Sequence, residues 1–423
     1  MKATTVRAVN SLTSRWAGHA ATDGAGTAFT AAGVWPLLAL LADGAGGPAR
    51  TELEQALGIP AGEAAGAARE LLSALDGVRG LRAATGLWAR RDLPLEERWS
   101  QGLPAGTRGT LTGDRDTDRK ALDAWAADRT GGLIERMPVR VDEDTRLVLA
   151  SALALGLRWI RPFTSRATWL DEGPWAGGPV LGLSRTTTLL DRVRVAQAPT
   201  GPVTLLEVVG DGGVDVHLVL GEPQAPPGQT LRAGIAAVTR AVPSTGAGAL
   251  PDGGPGPGLH IEQVPSADRR DRLHIKTVAF EVTGEHDLLA RPGLFGLASA
   301  ADTDRGRFPG ISADPLAIGS ARQSAMARFH AEGFEAAAVT ALAAVAGAAP
   351  GSRLRYRVRR AGVAFHRPFG FLAVHRTSRL VLAGGWVAQP VGYEEEDHAA
   401  REAEDWADAD AQEWGGTPRG TAG

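Results

Sequence analysis

Residues 329–344 read Phe-His-Ala-Glu-Gly-Phe-Glu-Ala-Ala-Ala-Val-Thr-Ala-Leu-Ala-Ala, a run of small side chains behind Gly333 with Glu332 and Glu335 at its mouth. The chemistry such a run can do is conformational. Ala is the best helix former, so propensity alone predicts an Ala-rich surface helix. A strand that slides into an existing sheet also needs small side chains, because bulk overpacks a closed core. Composition leaves both readings open and favours the helix. No catalytic constellation competes with this stretch. His260, His274 and His286 are too scattered for a metal site, and ordinary surface or core histidine is the expected role. No His-Glu-x-x-His, Gly-x-Ser-x-Gly or phosphate loop occurs. Cysteine is absent, which removes disulfides, thiolate metal sites and thiol redox chemistry. No metal and no cofactor is expected.

The elements that must position this stretch change character along the chain. Residues 9–75 read as helices: Val34, Leu37, Leu38, Leu40 and Leu41 give an apolar face, and Gly44 to Pro48 stop the run. Thr51 to Leu57 form another short helix, ended by Gly58 with Pro60 behind it. A further helix is predicted over 118–137 and a mostly apolar strand over 145–157. From 203 to 220 the pattern is strand, turning at Asp211-Gly212-Gly213. Residues 242–258, with their Pro-Gly string from Pro251 to Gly258, read as a loop. Residues 273–282 return to strand, and His286 to Leu289 begin a short helix. Helix-rich sequence followed by strand-rich sequence suits an α+β fold.

With 423 residues the chain is long enough for one large domain or two ordinary ones, and nothing suggests two cores. A net charge of −3 predicts no general affinity for nucleic acid or anionic membrane. No apolar run reaches the roughly 18 residues of a membrane-spanning helix. The N-terminus, Met1 to Arg7, lacks the apolar core of a signal peptide, so a cytoplasmic location is expected.

Six further motifs stand in a fixed order. Trp125, Thr130, Gly132 and Ile134 mark a helix end. Thr145 to Ala152 form a long strand, which leaves through Trp159, Pro162 and Phe163. Phe308-Pro309-Gly310-Ile311-Ser312, His366 to Phe371 and Gly385-Trp386-Val387-Ala388-Gln389-Pro390 follow. Together with Gly333, Glu335, Ala336, Ala337, Ala338 and Thr340, they resemble the serpins, the serine-protease-inhibitor superfamily, in a bacterial-type form. The resemblance runs from about residue 9 to residue 390 and reverses the helix reading of the Ala run.

The resemblance implies one serpin domain over 1–390: a large central β-sheet, two smaller sheets and about eight or nine helices. It implies a serine-type endopeptidase inhibitor that acts as a suicide substrate and not as an enzyme. A protease cleaves an exposed reactive loop, the freed segment enters the central sheet, and the acylated protease is distorted before deacylation. The alternative is a non-inhibitory serpin, a binding or scaffold protein whose loop is cleaved as plain substrate. The hinge is Glu332, Gly333, Phe334, Glu335, Ala336, Ala337, Ala338, Val339 and Thr340. The groups that hold the sheet shut, or cover its end, are Thr30, Gly33, Ser151, Trp159 and Gln323. Family spacing counted forward from Gly333 puts the reactive bond at Gly347–Ala348, which suits an elastase- or subtilisin-like protease. Counted back from Pro368 it falls at Arg357–Val358, a trypsin-like site. The partner is that protease, with no nucleic acid or membrane, and the protein is expected to be a monomer. Many relatives are extracellular, which is the alternative location.

The chain departs from the family pattern in several places. Phe334 stands where inhibitory relatives carry Thr or Ser, and by period two it shares a face with Ala336, Ala338 and Thr340. Overpacking there is expected to cost about 1–3 kcal/mol and to slow insertion, with Gly33 and Ser151 leaving room that could accommodate the ring. Ala331 replaces a hinge Glu. Thr30 and Gly33 replace two Ser, Ser151 an Asn and Gln323 a His. Arg353 to Arg360 alternate basic and apolar residues, which reads as a solvated strand face, with protease recognition or polyanion binding as alternatives. Residues 391–423 form an acidic tail, with ten acids and the single Arg401 between Glu394 and Glu413, and the tail is expected to be disordered. It is read as a solubilising tail, the alternative being contact with that basic face.

Overall fold

The computed structural model describes residues 1–21, 24–139, 141–142, 145–302, 306–334 and 355–393. The chain opens with α1 (Ala3–Ala20), β1 (Thr27–Phe29), α2 (Ala31–Gly44), α3 (Gly47–Leu57) and α4 (Ala61–Asp76). Next come β2 (Leu81–Arg90), α5 (Glu97–Gly102), β3 (Arg108–Leu111), α6 (Arg115–Thr130), β4 (Leu147–Leu155) and β5 (Leu157–Arg158). Then follow β6 (Thr164–Thr168), β7 (Val180–Thr187), β8 (Val193–Ala198), β9 (Gly201–Val209), β10 (Val214–Leu220) and α7 (Pro227–Val238). After these lie β11 (Ser244–Gly246), β12 (Gly253–Gly256), β13 (Leu259–Ser266), β14 (Arg272–Val278), β15 (Phe280–Asp287) and α8 (Pro292–Phe295). The chain closes with β16 (Ser320–Phe329), β17 (Gly333–Phe334), β18 (Tyr356–Ala364), β19 (Phe369–His375) and β20 (Val381–Val387).

Three sheets result among the described residues. The central one runs β3-β2-β4-β16-β17-β5, with β15 also paired to β16. A second runs β1-β20-β19-β10-β9-β8-β11, and a third β12-β13-β18-β14-β7-β6. The central and second sheets have seven strands each and the third has six.

β4 is buried along its whole length because both faces are covered. Its odd residues Leu147, Leu149, Leu153 and Leu155 belong to the main core with α2. Its even residues Val148, Ala150 and Ala152 pack with Trp88, Leu122 and Ile134 on the other side. α2 is buried almost all round and starts where the Thr30 hydroxyl accepts the Gly33 amide (3.2 Å).

Several sequence expectations need correction. The helix expected over 118–137 ends at Thr130, because Gly131 takes a left-handed cap (φ 68°). The strand expected over 273–282 is two strands, β14 in the third sheet and β15 in the central one. β15 continues to Asp287, so no helix begins at His286. The loop expected over 242–258 contains β11 and β12, the latter paired irregularly with β13.

Candidate functional site: a seam in the central sheet

β4 and β16 are parallel neighbours with six residues in register, from Val148↔Ser320 through Ser151↔Gln323 to Leu153↔Ala325. Beyond this seam β16 reaches Phe329 and the chain reverses, the His330 amide donating to the Gly333 carbonyl (2.9 Å). β17 then lies between β16 and β5, with Phe334 opposite both Phe329 and Leu157 and Gly333 opposite Arg158. The turn is clamped from one side. The Trp159 amide donates to Glu332 O (2.9 Å), its indole Nε1 to His330 O (2.9 Å), and the Phe163 amide to Ala331 O (2.8 Å). The Trp159 ring also packs on Phe329, with centroids 4.9 Å apart. Trp159 thus lies over the turn at the end of β16.

Phe334 is 1 % exposed and its ring sits 6.1 Å from that of Phe371. The expected overpacking on insertion therefore takes a different form: the ring is in the core already. Nor do Gly33 and Ser151 make room for it. A Cβ on Gly33 would come 2.5 Å from Ser151 Oγ, so Gly33 is needed for close approach of α2 to the sheet. The rest of the hinge, Glu335 to Thr340, and the bond Gly347–Ala348 lie outside the described residues, as does the acidic tail beyond Tyr393.

Thr30, Gly33, Ser151 and Gln323 come together midway along the seam. The Gln323 carboxamide clasps the Thr30 backbone, accepting from its amide (2.9 Å) and donating to its carbonyl (2.7 Å). The Thr30 hydroxyl donates to Leu382 O (2.6 Å), which ties the start of α2 to β20. Ser151 Oγ is buried without a hydrogen-bond partner. Next to this cluster His286 Nε2 meets Ala28 O (2.9 Å), and burial, partly offset by that contact, lowers its pKa. The sequence offered no signal for Leu382 O or for the brace beside Trp159, where the Arg376 guanidinium holds the buried Asp215 carboxylate (2.6 and 2.8 Å) and Gly210 O (2.7 Å). A backbone acceptor has no sequence signature, and Asp215 and Arg376 lie 161 positions apart.

The alternative reactive bond, Arg357–Val358, lies within β18, where Arg357 pairs with Pro265 and Val358 with Val264. Val358 is buried. Arg359 is not a solvated cation: it pairs with Asp252 (3.3 Å) and donates to Ala247 O (3.1 Å). The basic stretch is thus partly structural. Among the described residues no three metal-ligating side chains cluster.

Known proteins agree with this architecture. Residues 9–172 match the family model Serpin (serine protease inhibitor). The putative serpin-Z6C of Oryza sativa subsp. japonica is 25% identical over 390 residues, covering 86% of this chain and 90% of that protein. The putative serpin-Z6A of the same plant is 32% identical over 157 residues, which span 34% of this chain and 40% of that protein. Serpin48 of the insect Tenebrio molitor superposes with a TM-score of 0.67 at 18% identity, covering 90% of this chain and 97% of that one. The fold is that of the serpins, and residues 9–172 carry the match to the family model.

Proposed function

We propose that this chain inhibits a serine-type endopeptidase as a suicide substrate, by cleavage of the loop after β17 and insertion of the freed segment between β4 and β16. The observation that carries this reading is the register of β17. Extended by the pairing it already has, β17 would set Ala336 opposite Ala327 and Leu155, Ala338 opposite Ala325 and Leu153, and Thr340 opposite Gln323 and Ser151. Ala325–Leu153 and Gln323–Ser151 are themselves partners across the seam. Both edges therefore ask for the same residue at each level, and that residue is small.

Insertion would exchange one short parallel ladder for two longer antiparallel ones. About a dozen net backbone hydrogen bonds at roughly 1 kcal/mol each give on the order of 10 kcal/mol, comparable with the stability of a whole domain. The nucleophile and the acyl bond belong to the protease; this chain supplies the scissile bond and the conformational energy. Gly347–Ala348 is favoured over Arg357–Val358, because a peptide paired inside β18 is not presented in the extended, unpaired form a protease binds. Small residues there favour an elastase- or subtilisin-like target, and a monomer suffices. The test is incubation with elastase-, subtilisin- and trypsin-like proteases. Expected are an SDS-stable complex and a released C-terminal peptide that begins at Ala348. Clean cleavage without a complex would reduce the chain to a substrate, and a complex formed at Arg357 would refute the bond assignment.

A further inference from the structure

The outward face of the third sheet carries more positive charge than its own acids neutralise. Leu273, Ile275, Ala361 and Val363 turn inward to the main core, so their alternates face out. The register then sets Arg360 beside Arg272 and Lys276 beside Ser184 and Thr164, with Arg166 two residues further along β6, opposite Gly182. All four cations are exposed. Arg360 pairs with Glu262 (2.7 Å), and Arg272 with Asp268 (3.6 Å), which Arg270 shares. Arg166 and Lys276 have no hydrogen-bond or ion-pair partner among the described residues. His274, between Arg272 and Lys276 on β14, senses the same field. Burial lowers its pKa, Arg360, Arg272 and Lys276 lower it further, and among the described residues no acid opposes them. In a chain of net charge −3 this face is a local exception.

An acidic counterpart leaves from the same sheet. After β20 the chain runs in between the end of β14 and the start of β7. The Val391 amide donates to Ala279 O (2.9 Å), the Leu181 amide to Val391 O (2.9 Å) and the Tyr393 amide to Pro179 O (3.0 Å), while Gly392 bridges to Val180. From Val180 to Ser184, the level of Lys276, is about 13 Å at roughly 3.3 Å per residue. Residues 394–413 hold ten acids and the single Arg401. At about 3.3 Å per residue that segment spans up to about 66 Å, so Lys276 and the cations beside it lie within its range. A tether this close to its site holds the acids at an effective concentration on the order of millimolar.

We propose that the acidic segment 394–413 folds back along the outward face of the third sheet and docks there by charge, its carboxylates against Arg166, Lys276, Arg272 and Arg360. Charge complementarity selects the segment, and the exit of the chain beside Val180 delivers it next to the face. The surface is not the one that the run from Arg353 to Arg360 suggests. Alternation along β18 puts Arg357 and Arg359 on the opposite side from Arg360, so of these three only Arg360 takes part.

Lys2, Lys120 and Lys276 are the only lysines in the chain, so carbodiimide coupling of carboxylates to amines can locate the contact. Coupling of the full chain at low salt and micromolar concentration, followed by peptide mass mapping, should join a carboxylate of 394–413 to Lys276 within one chain, and not to Lys2 or Lys120. At about 1 M salt, where the screening length is about 3 Å, the yield should fall roughly fivefold or more. Arg166→Gln combined with Arg272→Gln changes exposed side chains and leaves Lys276 in place. This variant should melt as the parent does and lower the yield roughly threefold or more. A yield unchanged by salt or by the double variant would mean chance encounters of a tethered segment and would overturn the docking. Coupling to Lys2 or Lys120 as strong as to Lys276 would overturn it too, as would links only between chains, which would make a second copy the occupant. No link to Lys276 in the parent would leave the face to an external polyanion and equally overturn the proposal.

Discussion

The register argument makes Ala338 the most informative position in the chain. An inserted strand would bring Ala338 between Leu153 and Ala325, which are 1 % and 3 % exposed and face the main core. Ala338→Glu would carry a carboxylate into that space, where no described cation waits. An unpaired charge buried in this way costs at least about 3–5 kcal/mol. Felt in the transition state of insertion, that is a slowing of roughly 150- to 5,000-fold, since about 1.4 kcal/mol is tenfold. Deacylation then wins, and the protease leaves with the loop cut. The assay needs no knowledge of the natural target: nick the loop after Thr340 with any protease that cuts it and compare melting temperatures. A gain on the order of 10 kcal/mol, in a chain of 423 residues with an unfolding entropy of about 0.9 kcal/mol/K, raises the Tm by roughly 11 °C. The nicked parent and Ala338→Ser should show that rise, and nicked Ala338→Glu, poorer by about 3–5 kcal/mol, should rise by only roughly 6–8 °C. A full rise in Ala338→Glu would refute the register, and no rise in the parent would refute insertion itself.

Phe334→Ala should destabilise the uncleaved protein by about 3–5 kcal/mol, read as a lower urea midpoint, because it empties a fully buried site beside Phe371. Gln323→Ala strips the Thr30 amide and carbonyl of their shared partner and should cost roughly 2–6 kcal/mol, at about 1–3 per buried orphan. It should also speed unforced opening of the seam, visible as faster amide exchange along β16. His217 and His286 have pKa values lowered by burial, so the folded state binds fewer protons than the unfolded chain. Their contribution is complete above the unfolded value of about 6.5 and is lost as pH falls below it. Urea midpoints should therefore drop between about pH 7.5 and 5.5, and His217→Gln should shrink that drop.

What the sequence made legible, and what it hid, follows from the range of the interactions. β4 could be read because nine consecutive small and apolar residues fit only a strand covered on both faces. α3 could be read from Gly58, whose φ of 72° is the cap that its residue type predicts. β12 could not, because a Pro-Gly string carries no strand propensity and is held only by β13. The division of 273–287 into two strands of different sheets was hidden for the same reason: the break at Ala279 is fixed by its amide bonding to Leu181 O, nearly a hundred residues away. At the seam, the residues were legible through family resemblance, but their bonding was not. Nothing in a lone Gln announces that both ends of its carboxamide are committed to one Thr backbone.

Phe334 shows how that gap changes a mechanistic conclusion. From sequence its ring is an obstacle to insertion, since it occupies a position suited to a small side chain. In the structure the ring is buried while the seam below it is still closed. Its desolvation is therefore already complete with the seam closed, and on the proposed mechanism it would add nothing to the barrier to insertion. The register assigns the core-facing positions that remain to be inserted as far as the Gln323–Ser151 level to Ala336, Ala338 and Thr340, all small. On the proposed mechanism the barrier would lie in parting β4 from β16, and Gln323 of β16 is anchored to the Thr30 backbone at the start of α2 by two hydrogen bonds. At the same level Ser151 Oγ has no partner, and an arriving Thr340 hydroxyl would supply one. The closed seam thus leaves unsatisfied a group that insertion would satisfy. Thr340→Val should accordingly shorten the Tm rise on loop cleavage by about 1–2 °C, the worth of one buried hydrogen bond on this chain. An undiminished rise would mean that Thr340 never reaches Ser151.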